Sequence, residues 1–445
     1  MELRLSTGYK AIMKLALPIS LAILVPQINF ITNNIFLAGL GQTELAVAGI
    51  TGVYYLMFAV IGNGLNNGLQ ALIARRAGQN LPHEIGRIFF HGIWLALAIS
   101  AIGIVFTHTL APSILRATLH DDRIAEMAID FLHIRIWGLP LLYLYVMRNA
   151  LLVGTNQTRL LIWGALAEAI TNIVLDYGLI YGKLGMPQLG FNGAAYASII
   201  AEGTGLLVIY AVIHMIGMHK RFSLFKDIRW EGALAKHILV KSSPLIAQFS
   251  ISIATWEYFY ILIEHQGERA LAISNTMRNI FGLFGIFSWA FASTTNTMVS
   301  NIIGQGREDE VLRLVMRIVR SSFAISLFLF ALLNFWPEWF LSFYGQDEAF
   351  IRDAIPVVRV VSIALLMMSF GTVWLNAVTG TGNTTVNLWI EMITLVIYVV
   401  YVYVVLEYYN MPITWGWASE WVYWTSMFVM AVSYMRSGKW RGKSM

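Results

Sequence analysis

The chain has 445 residues, of which 58% are hydrophobic and 12% are charged. A soluble domain carries about 25% charged residues, so this composition excludes an ordinary soluble protein. The formal net charge is +5, and the lack of cysteine excludes disulfide bonds and thiolate chemistry. With a mean hydropathy of +0.65, the recurring long apolar runs predict an all-α polytopic membrane protein.

Twelve apolar segments are long enough to cross a bilayer as helices. The segment from Met1 to Lys10 is polar and the first apolar run is too long for a signal-peptide core, so no cleavable signal peptide is expected. The predicted spans are 12–38, 46–74, 87–110, 124–152, 160–182, 192–217, 235–263, 270–302, 312–336, 350–378, 386–408 and 413–435.

Lysine and arginine concentrate in alternate connections between the predicted spans. They occur in both terminal tails, after the second span and in the join at 218–236, whereas the loop at 41–44 has none. Because cytoplasmic loops retain positive charge, we predict a protein of the cytoplasmic (inner) membrane with both termini in the cytoplasm. We interpret these residues as topology signals and expect no nucleic-acid partner.

The two halves of the sequence repeat in one register, with matched residues 226 positions apart. Each half has six spans, an even number, so the halves form a parallel duplication. We predict two pseudo-symmetric six-helix lobes, an N-lobe at 1–217 and a C-lobe at 235–445, joined by a cytoplasmic linker at 218–234. The matched pairs are Pro18 and Pro244, Gly41 and Gly267, Leu45 and Leu271, Ala46 and Ala272, Gly78 and Gly304, Gln79 and Gln305, Glu84 and Glu310, Arg87 and Arg313, Gly154 and Gly380, Thr155 and Thr381, and Thr158 and Thr384.

Proline is expected to interrupt and bend two of the spans. Pro18 and Pro26 lie in span 1 and Pro244 lies in span 7. Each proline removes a backbone donor from its helix, which favours a bend at that point.

Span 5 carries polar residues within an apolar segment. Glu168, Asn172 and Asp176 follow at four-residue intervals, which places them on one face of a helix. A carboxylate in such a span costs on the order of 3 kcal/mol and is retained where it faces a protein interior or a water-filled cavity. We expect this face to bind a cation or a proton; structural hydrogen bonding between helices is the alternative explanation.

Several motifs, in their order along the chain, resemble those of the multidrug and toxic compound extrusion (MATE) family. The resemblance covers essentially the whole chain. It implies two six-helix lobes around a V-shaped cavity and export of organic cations driven by entry of Na⁺ or H⁺. The motifs are Phe36-Leu-Ala-Gly-Leu-Gly41, the loop from Gly78 to Arg87 with its copy from Gly304 to Arg313, Gly154-Thr-Asn-Gln-Thr158, Asn172-Ile-Val-Leu-Asp176 and Gly193-Ala-Ala-Tyr-Ala-Ser198.

The resemblance also implies a cation site in the N-lobe. In the family this site uses an acidic residue on span 1, an Asn-x-x-x-Asp pair on span 5 and a hydroxyl on span 6. Asn172 and Asp176 match the pair and Ser198 matches the hydroxyl, whereas Asn33 stands in place of the acid. A single buried acid without a cationic partner favours H⁺ as the coupling ion, with Na⁺ held by oxygen ligands as the alternative.

A second candidate lies on span 7, where NorM-type members of the family have a glutamate. Glu257 resembles it and has Trp256 and Tyr260 nearby, and aromatic faces beside a carboxylate suit lipophilic cations. Helix packing and interface belts account for most such aromatic residues. The acid expected on span 10 is absent and Asn383 lies near its place, which weakens a cation site in the C-lobe.

The other intramembrane charges are expected to form Arg–Glu pairs across helices. No Walker loop, metal-binding histidine pair or catalytic constellation is present, so we expect neither enzymatic activity nor a cofactor. The charges concerned are Glu202, Glu391, Glu420, Arg135, Arg148 and Arg359.

We therefore predict a monomeric secondary antiporter that works by alternating access, with small organic cations and the lipid bilayer as its partners. Three alternatives stay open. A flippase for lipid-linked precursors, from the same superfamily, would need a basic cavity, and Arg278 is the central arginine of interest. A membrane-embedded transferase would need a polar catalytic cluster, and a channel would need a less asymmetric arrangement of acids.

Overall fold

The structure is a computed structural model that describes residues 2–119, 121–226, 229–343 and 347–442. Within these ranges the chain is helical and contains no β-strand. The helices are α1 (Tyr9–Ala38), α2 (Gln42–Gly78), α3 (Pro82–Thr109), α4 (Ala111–Thr118), α5 (Asp122–Arg135), α6 (Leu139–Gly154), α7 (Leu161–Tyr181), α8 (Phe191–Met215), α9 (Met218–Arg221), α10 (Gly232–Glu264), α11 (Glu268–Gly304), α12 (Val311–Phe335), α13 (Pro337–Ser342), α14 (Glu348–Gly380), α15 (Thr384–Val402), α16 (Ile413–Trp417) and α17 (Ser419–Arg436).

The predicted all-α fold with twelve spans is confirmed. Nine of the predicted spans each correspond to one helix. The fourth is formed by α5 and α6, with a 3₁₀ turn at Ile136–Gly138 between them. The eleventh is α15 continued by a π-helical segment at Tyr403–Tyr408, and the twelfth covers α16 and α17. In the described part of the chain, ten helical segments are both long and apolar enough to cross a membrane. The remaining two spans, α11 and α17, are long but less apolar; α11, for example, contains a buried run of polar residues from Thr294 to Thr297.

Two helices continue through the prolines that were expected to interrupt them. α1 is helical across Pro18 and Pro26, and α10 is helical across Pro244. The expectation of an interruption is therefore wrong, because the hydrogen bonds on either side of each proline hold the backbone helical despite the missing donor.

The sequence repeat is also a structural repeat. α2 and α11 each have 37 residues, and both their first and last residues are 226 positions apart. The turns that follow equivalent helices place a residue in the left-handed region at equivalent positions, Asn80 with Gly306 and Asn156 with Gly382. Asparagine and glycine are the residues that adopt this conformation at low cost, so the same turn is built twice from different residues.

The chain forms two compact units. We call residues 21–246 the N-unit, and residues 1–20 together with 247–445 the C-unit. The chain passes from one unit to the other after Ser20 in α1 and after Ile246 in α10, positions that are 226 residues apart. The unit boundaries thus lie within helices, whereas the sequence placed its lobe boundaries in the 218–234 segment.

In the N-unit, α7 packs along α8, and α2 packs against α3 and α6. The segment after α8 is packed against α3 rather than free. Phe222 is fully buried, and its carbonyl oxygen approaches the α-carbon of Gly86 so closely that a methyl group there would collide with it. At the start of α10, Glu231 accepts hydrogen bonds from the Arg87 guanidinium, and its backbone N–H donates to His91 Nε2 over 2.8 Å.

In the C-unit, α14 packs against α11, α12 and α17, and α15 packs along α17. The residues before α1 are held by side chains of this unit. Asn301 accepts from the Leu5 N–H and donates to the Leu3 carbonyl, at 3.0 and 2.9 Å, and Arg317 donates to the Thr7 carbonyl at 2.8 Å. Leu5 and Glu231 are equivalent positions of the repeat, so each repeat anchors the start of a first helix with its own set of side chains.

Candidate cation site

The ends of α1 and α7 lie side by side in the N-unit. The Tyr181 hydroxyl, at the end of α7, donates to the Phe36 carbonyl oxygen of α1 over 2.6 Å. The Phe36 ring contacts the rings of Tyr177 and Tyr181, with centroids 6.4 and 6.1 Å apart. The last turns of the two helices are therefore in contact.

Two predicted site residues lie equally far, along their own helices, from these helix ends. Asn33 lies five residues before the end of α1, and Asp176 lies five residues before the end of α7. At 1.5 Å per residue, each is about 7.5 Å back from its helix end. Asn172 lies one turn further back on the same face of α7.

Asp176 is fully buried, with 0% of its surface exposed, and neither of its carboxylate oxygens has a hydrogen-bond partner in the described structure. Two of its predicted neighbours also have unsatisfied buried atoms, the Asn172 amide nitrogen and the Asn33 amide oxygen. None of the ion pairs among the described residues includes Asp176. A buried carboxylate in this setting is stable only when it is neutralised, by a proton or by a bound cation.

Ser198 lies on α8, which packs along α7, and its side chain is partly buried. The structure gives it no hydrogen bond with Asp176 or Asn172. Its place among the cation ligands therefore stays a prediction.

Glu168 does not join Asp176 in one cluster, although both lie on the same helix. Its carboxylate lies beside the Tyr145 hydroxyl and within electrostatic range of Arg148, Arg135 and Glu202. Glu168 thus belongs to a separate group of charges, two turns along α7 from Asp176.

The expected pairing of intramembrane charges is found in that group. Arg135 donates to Glu202 over 2.5 Å, and both side chains are largely buried. Arg148 is fully buried and forms no ion pair with the residues that the structure describes; its guanidinium carbon lies 3.9 Å from the centre of the Tyr145 ring. Arg359 is exposed.

Glu257, the candidate on span 7, is partly exposed on α10 and takes part in none of the ion pairs among the described residues. Its aromatic neighbours are engaged in packing. Trp256 meets Tyr260 edge to face with centroids 5.3 Å apart, and the Tyr260 hydroxyl donates to the Ser274 carbonyl over 3.1 Å. The Arg278 guanidinium lies 5.2 Å from the centre of the same Tyr260 ring.

Asn383 does not take the place of an acid within span 10. It lies in the turn after α14 ends at Gly380, and its amide donates to the Thr381 hydroxyl over 2.9 Å. Gly382 separates Asn383 from the end of α14, and Asn383 occupies the N-cap position of α15 without a side-chain capping bond.

Glu391 and Glu420 were expected to pair with arginine, and this is wrong for the described structure. Glu420 accepts from the Trp424 indole N–H over 3.0 Å, and Glu391 accepts hydrogen bonds from hydroxyl groups. A signal was present in the sequence, since Asn387, Glu391 and Thr394 follow the same helical spacing that singled out Asp176.

The repeat, the helix count and the polar residues buried inside apolar helices define a multi-pass membrane protein of the transporter class. The sequence model of the MatE family matches residues 18–178 and 244–404, two segments that are 226 positions apart. Together the segments cover well over half of the chain. The chain therefore belongs to the MatE family of transporters, and the transferase alternative is set aside because members of this family are not enzymes.

Two curated relatives carry the name "probable multidrug resistance protein NorM". The one from Synechocystis sp. is 28% identical over 224 residues, 48% of this chain and 47% of the relative. The one from Halalkalibacterium halodurans is 30% identical over 219 residues, 48% of each chain. The aligned part of this chain thus spans about half the length of each of these relatives.

A solved structure of a MATE protein in complex with MaL6 has the same fold. Its TM-score is 0.87, over 99% of this chain and 97% of that one, at 21% sequence identity. The two-lobe helical fold is therefore shown.

Proposed function

We propose that this protein is a secondary antiporter that exports small organic cations in exchange for H⁺, with Asp176 as the residue that carries the proton. The observation behind the proposal is that Asp176 is buried with both carboxylate oxygens unpartnered. The protein would lie in the inner membrane with both termini in the cytoplasm, as the distribution of lysine and arginine predicts.

The coupling follows from the cost of a buried charge. With a proton bound, Asp176 is neutral and tolerates a dry environment; once water reaches it, the ionised form is stabilised and the proton leaves. A membrane potential supplies about 2.3 kcal/mol per charge per 100 mV, which is enough to drive a modest gradient of substrate. Rocking of two repeats is the usual form of alternating access in duplicated transporters.

The names of the relatives support the substrate class, since they are described as multidrug resistance proteins. Asn33 supports H⁺ over Na⁺. It removes one carboxylate from the oxygen set that a hard cation would favour, and a proton needs only one.

The test is a flux assay in vesicles containing the purified protein, with an ethidium-like cation as substrate. A pH gradient and a Na⁺ gradient are imposed separately. We expect uptake driven by the pH gradient, lost in Asp176→Asn and kept in Asp130→Asn, which removes an exposed carboxylate of the same unit. Transport driven by the Na⁺ gradient alone, or unchanged proton-driven transport in Asp176→Asn, would overturn the proposal.

A further inference from the structure

A second buried acid lies in the C-unit, at a junction of three helices. Glu391 of α15 has 0% of its surface exposed. Its Oε1 lies 2.6 Å from the Ser252 hydroxyl of α10 and 2.5 Å from the Tyr423 hydroxyl of α17. The Gln248 amide, one turn before Ser252, lies beside the same carboxylate.

The groups that face this carboxylate are neutral hydrogen-bond donors. The Ser252 and Tyr423 hydroxyls both donate to Oε1, and the Ser252 oxygen also lies 2.8 Å from the Gln248 carbonyl oxygen of its own helix. These neutral groups do not offset a negative charge, so an ionised Glu391 would be buried without a counter-ion, and a bound proton removes that cost.

Buried oxygens without hydrogen-bond partners line one face of α15. Glu391 Oε2, the Asn387 amide oxygen and the Thr394 hydroxyl are all buried without a hydrogen-bond partner. They follow at four- and three-residue intervals, so they line a single stripe. The Asn387 amide nitrogen is already used, since it donates to Gln248 Oε1 over 2.5 Å. The carboxylate therefore lies on a face that also carries an unsatisfied amide oxygen and an unsatisfied hydroxyl, and its own Oε2 has no hydrogen-bond partner.

No arginine or lysine compensates for the Glu391 charge in the described structure, whose ion pairs do not include it. The residues of α10 beside Glu391 are the neutral Gln248 and Ser252. On α17 its neighbour is Tyr423, and Glu420 lies near Tyr423. Tyr398 lies further along α15. The charged residues of the other neighbouring segments are exposed; they are Glu348, Arg352, Asp353 and Arg359 of α14 and Glu407 after α15.

We propose that Glu391 is a second proton-binding site, built by the C-terminal repeat from residues other than those of the Asp176 site. The helices concerned, α10, α15 and α17, are the repeat counterparts of α1, α7 and α8. This inference rests on the proposed function only for its role in transport; proton binding at Glu391 stands on its complete burial without a counter-ion among the described residues.

The two sites lie at different points along equivalent helices. The position equivalent to Asp176 is Val402, eleven residues after Glu391 and on the same face of α15. At 1.5 Å per residue, Glu391 lies about 16 Å nearer the start of its helix than the equivalent position. The acid of the second repeat therefore does not occupy the position that corresponds to Asp176.

The test is infrared difference spectroscopy of the purified full-length protein between acidic and alkaline buffer. It follows the carbonyl band of protonated carboxylic acids. We expect one component of this band to be lost in Glu391→Gln and to persist in Asp176→Asn. It should also persist in Glu420→Gln, a buried acid of the same unit whose carboxylate is bonded to Trp424. An unchanged band in a folded Glu391→Gln protein would overturn the inference.

A second variant guards against misfolding of Glu391→Gln. Tyr423→Phe keeps the acid and removes one hydrogen-bonding hydroxyl, so the Glu391 component should persist at a shifted frequency. A band that does not respond to this change would also overturn the inference.

In vesicles, Glu391→Gln should move one proton fewer per substrate cation. The two proposals fail on different outcomes. Loss of the Glu391 component alone does not contradict the role of Asp176. Transport that is independent of protons, in a protein whose Glu391 band is intact, contradicts only the proposed antiport.

Discussion

At the scale of single residues, the role of a buried polar group depends more on its bonding partners than on its position in the sequence. Asp176 and Glu202 are both acids buried in helices of the N-unit. Glu202 is neutralised by Arg135 at 2.5 Å, while Asp176 has no partner in the described structure. A paired acid is structural, whereas an unpaired one must take up a proton or an ion to remain buried.

Glu257 gives the first prediction. It is partly exposed and forms no ion pair with the described residues, so Glu257→Gln should fold normally. We expect cells that express this variant to lose resistance to cationic compounds, measured as growth inhibition at matched protein levels. Resistance equal to that of the unmodified protein would show that Glu257 does not contact substrate.

Gly86 gives the second prediction. A methyl group at this position would collide with the Phe222 carbonyl oxygen, a backbone atom that cannot rotate away. We expect Gly86→Ala to cost about 1–3 kcal/mol and to lower the melting temperature in detergent. Gly49→Ala is the matched control, since Gly49 has open space around it, and alanine should preserve or raise stability there. Equal melting temperatures for the two variants would contradict this description of the contact.

At the scale of elements, the helices could be predicted closely because hydropathy and the repeat both report on them. The end of α7 was placed within one residue, and the end of α2 within four. The break between α5 and α6 was missed because the segment Asp122–Gly154 as a whole is apolar enough for a single span, although Gly138 and Pro140 lie at the break. The partners of Glu391 were missed for another reason: Ser252 and Tyr423 are 139 and 32 residues away along the chain, and only tertiary packing brings them to it.

The contact between α3 and the start of α10 gives a prediction about pH. Hydrogen bonds from Arg87 hold the pKa of Glu231 below its ordinary value of 4.5. The pair therefore stabilises the fold in full above that value, and the effect is lost as the pH falls through the lower pKa of the folded state. We expect Glu231→Gln to lower the melting temperature slightly at neutral pH, by an amount that shrinks in acid. In an Arg87→Gln background the effect should be absent at every pH; a difference that persists there would show that another group is responsible.

At the scale of the whole molecule, the duplication was evident in the sequence but the composition of the compact units was not. Residues 1–20 belong with the second repeat and the first part of α10 belongs with the first. Hydropathy and spacing identify a helix but do not tell which unit each part of it packs into. The lobe boundaries at 217 and 235 were therefore drawn at the basic segment, where the chain composition changes.

This division predicts how the protein behaves when it is cut. A chain that ends after Lys226 lacks the part of α10 that completes the N-unit, and the remainder lacks the first helical turns that complete the C-unit. We expect each fragment expressed alone to be degraded, and co-expression to restore a stable pair that elutes together on size-exclusion chromatography. A stable, monodisperse N-terminal fragment on its own would contradict the division into units.

The central claim is that Asp176 carries the proton that is exchanged for the substrate cation, so substrate and proton should compete for the protein. The most direct measurement is the proton release that follows addition of a substrate cation to the purified protein in weakly buffered detergent solution, compared between the unmodified protein and Asp176→Asn. We predict release from the unmodified protein, reduced in Asp176→Asn and unaltered in Asp130→Asn. Equal release from the unmodified and Asp176→Asn proteins would contradict the account.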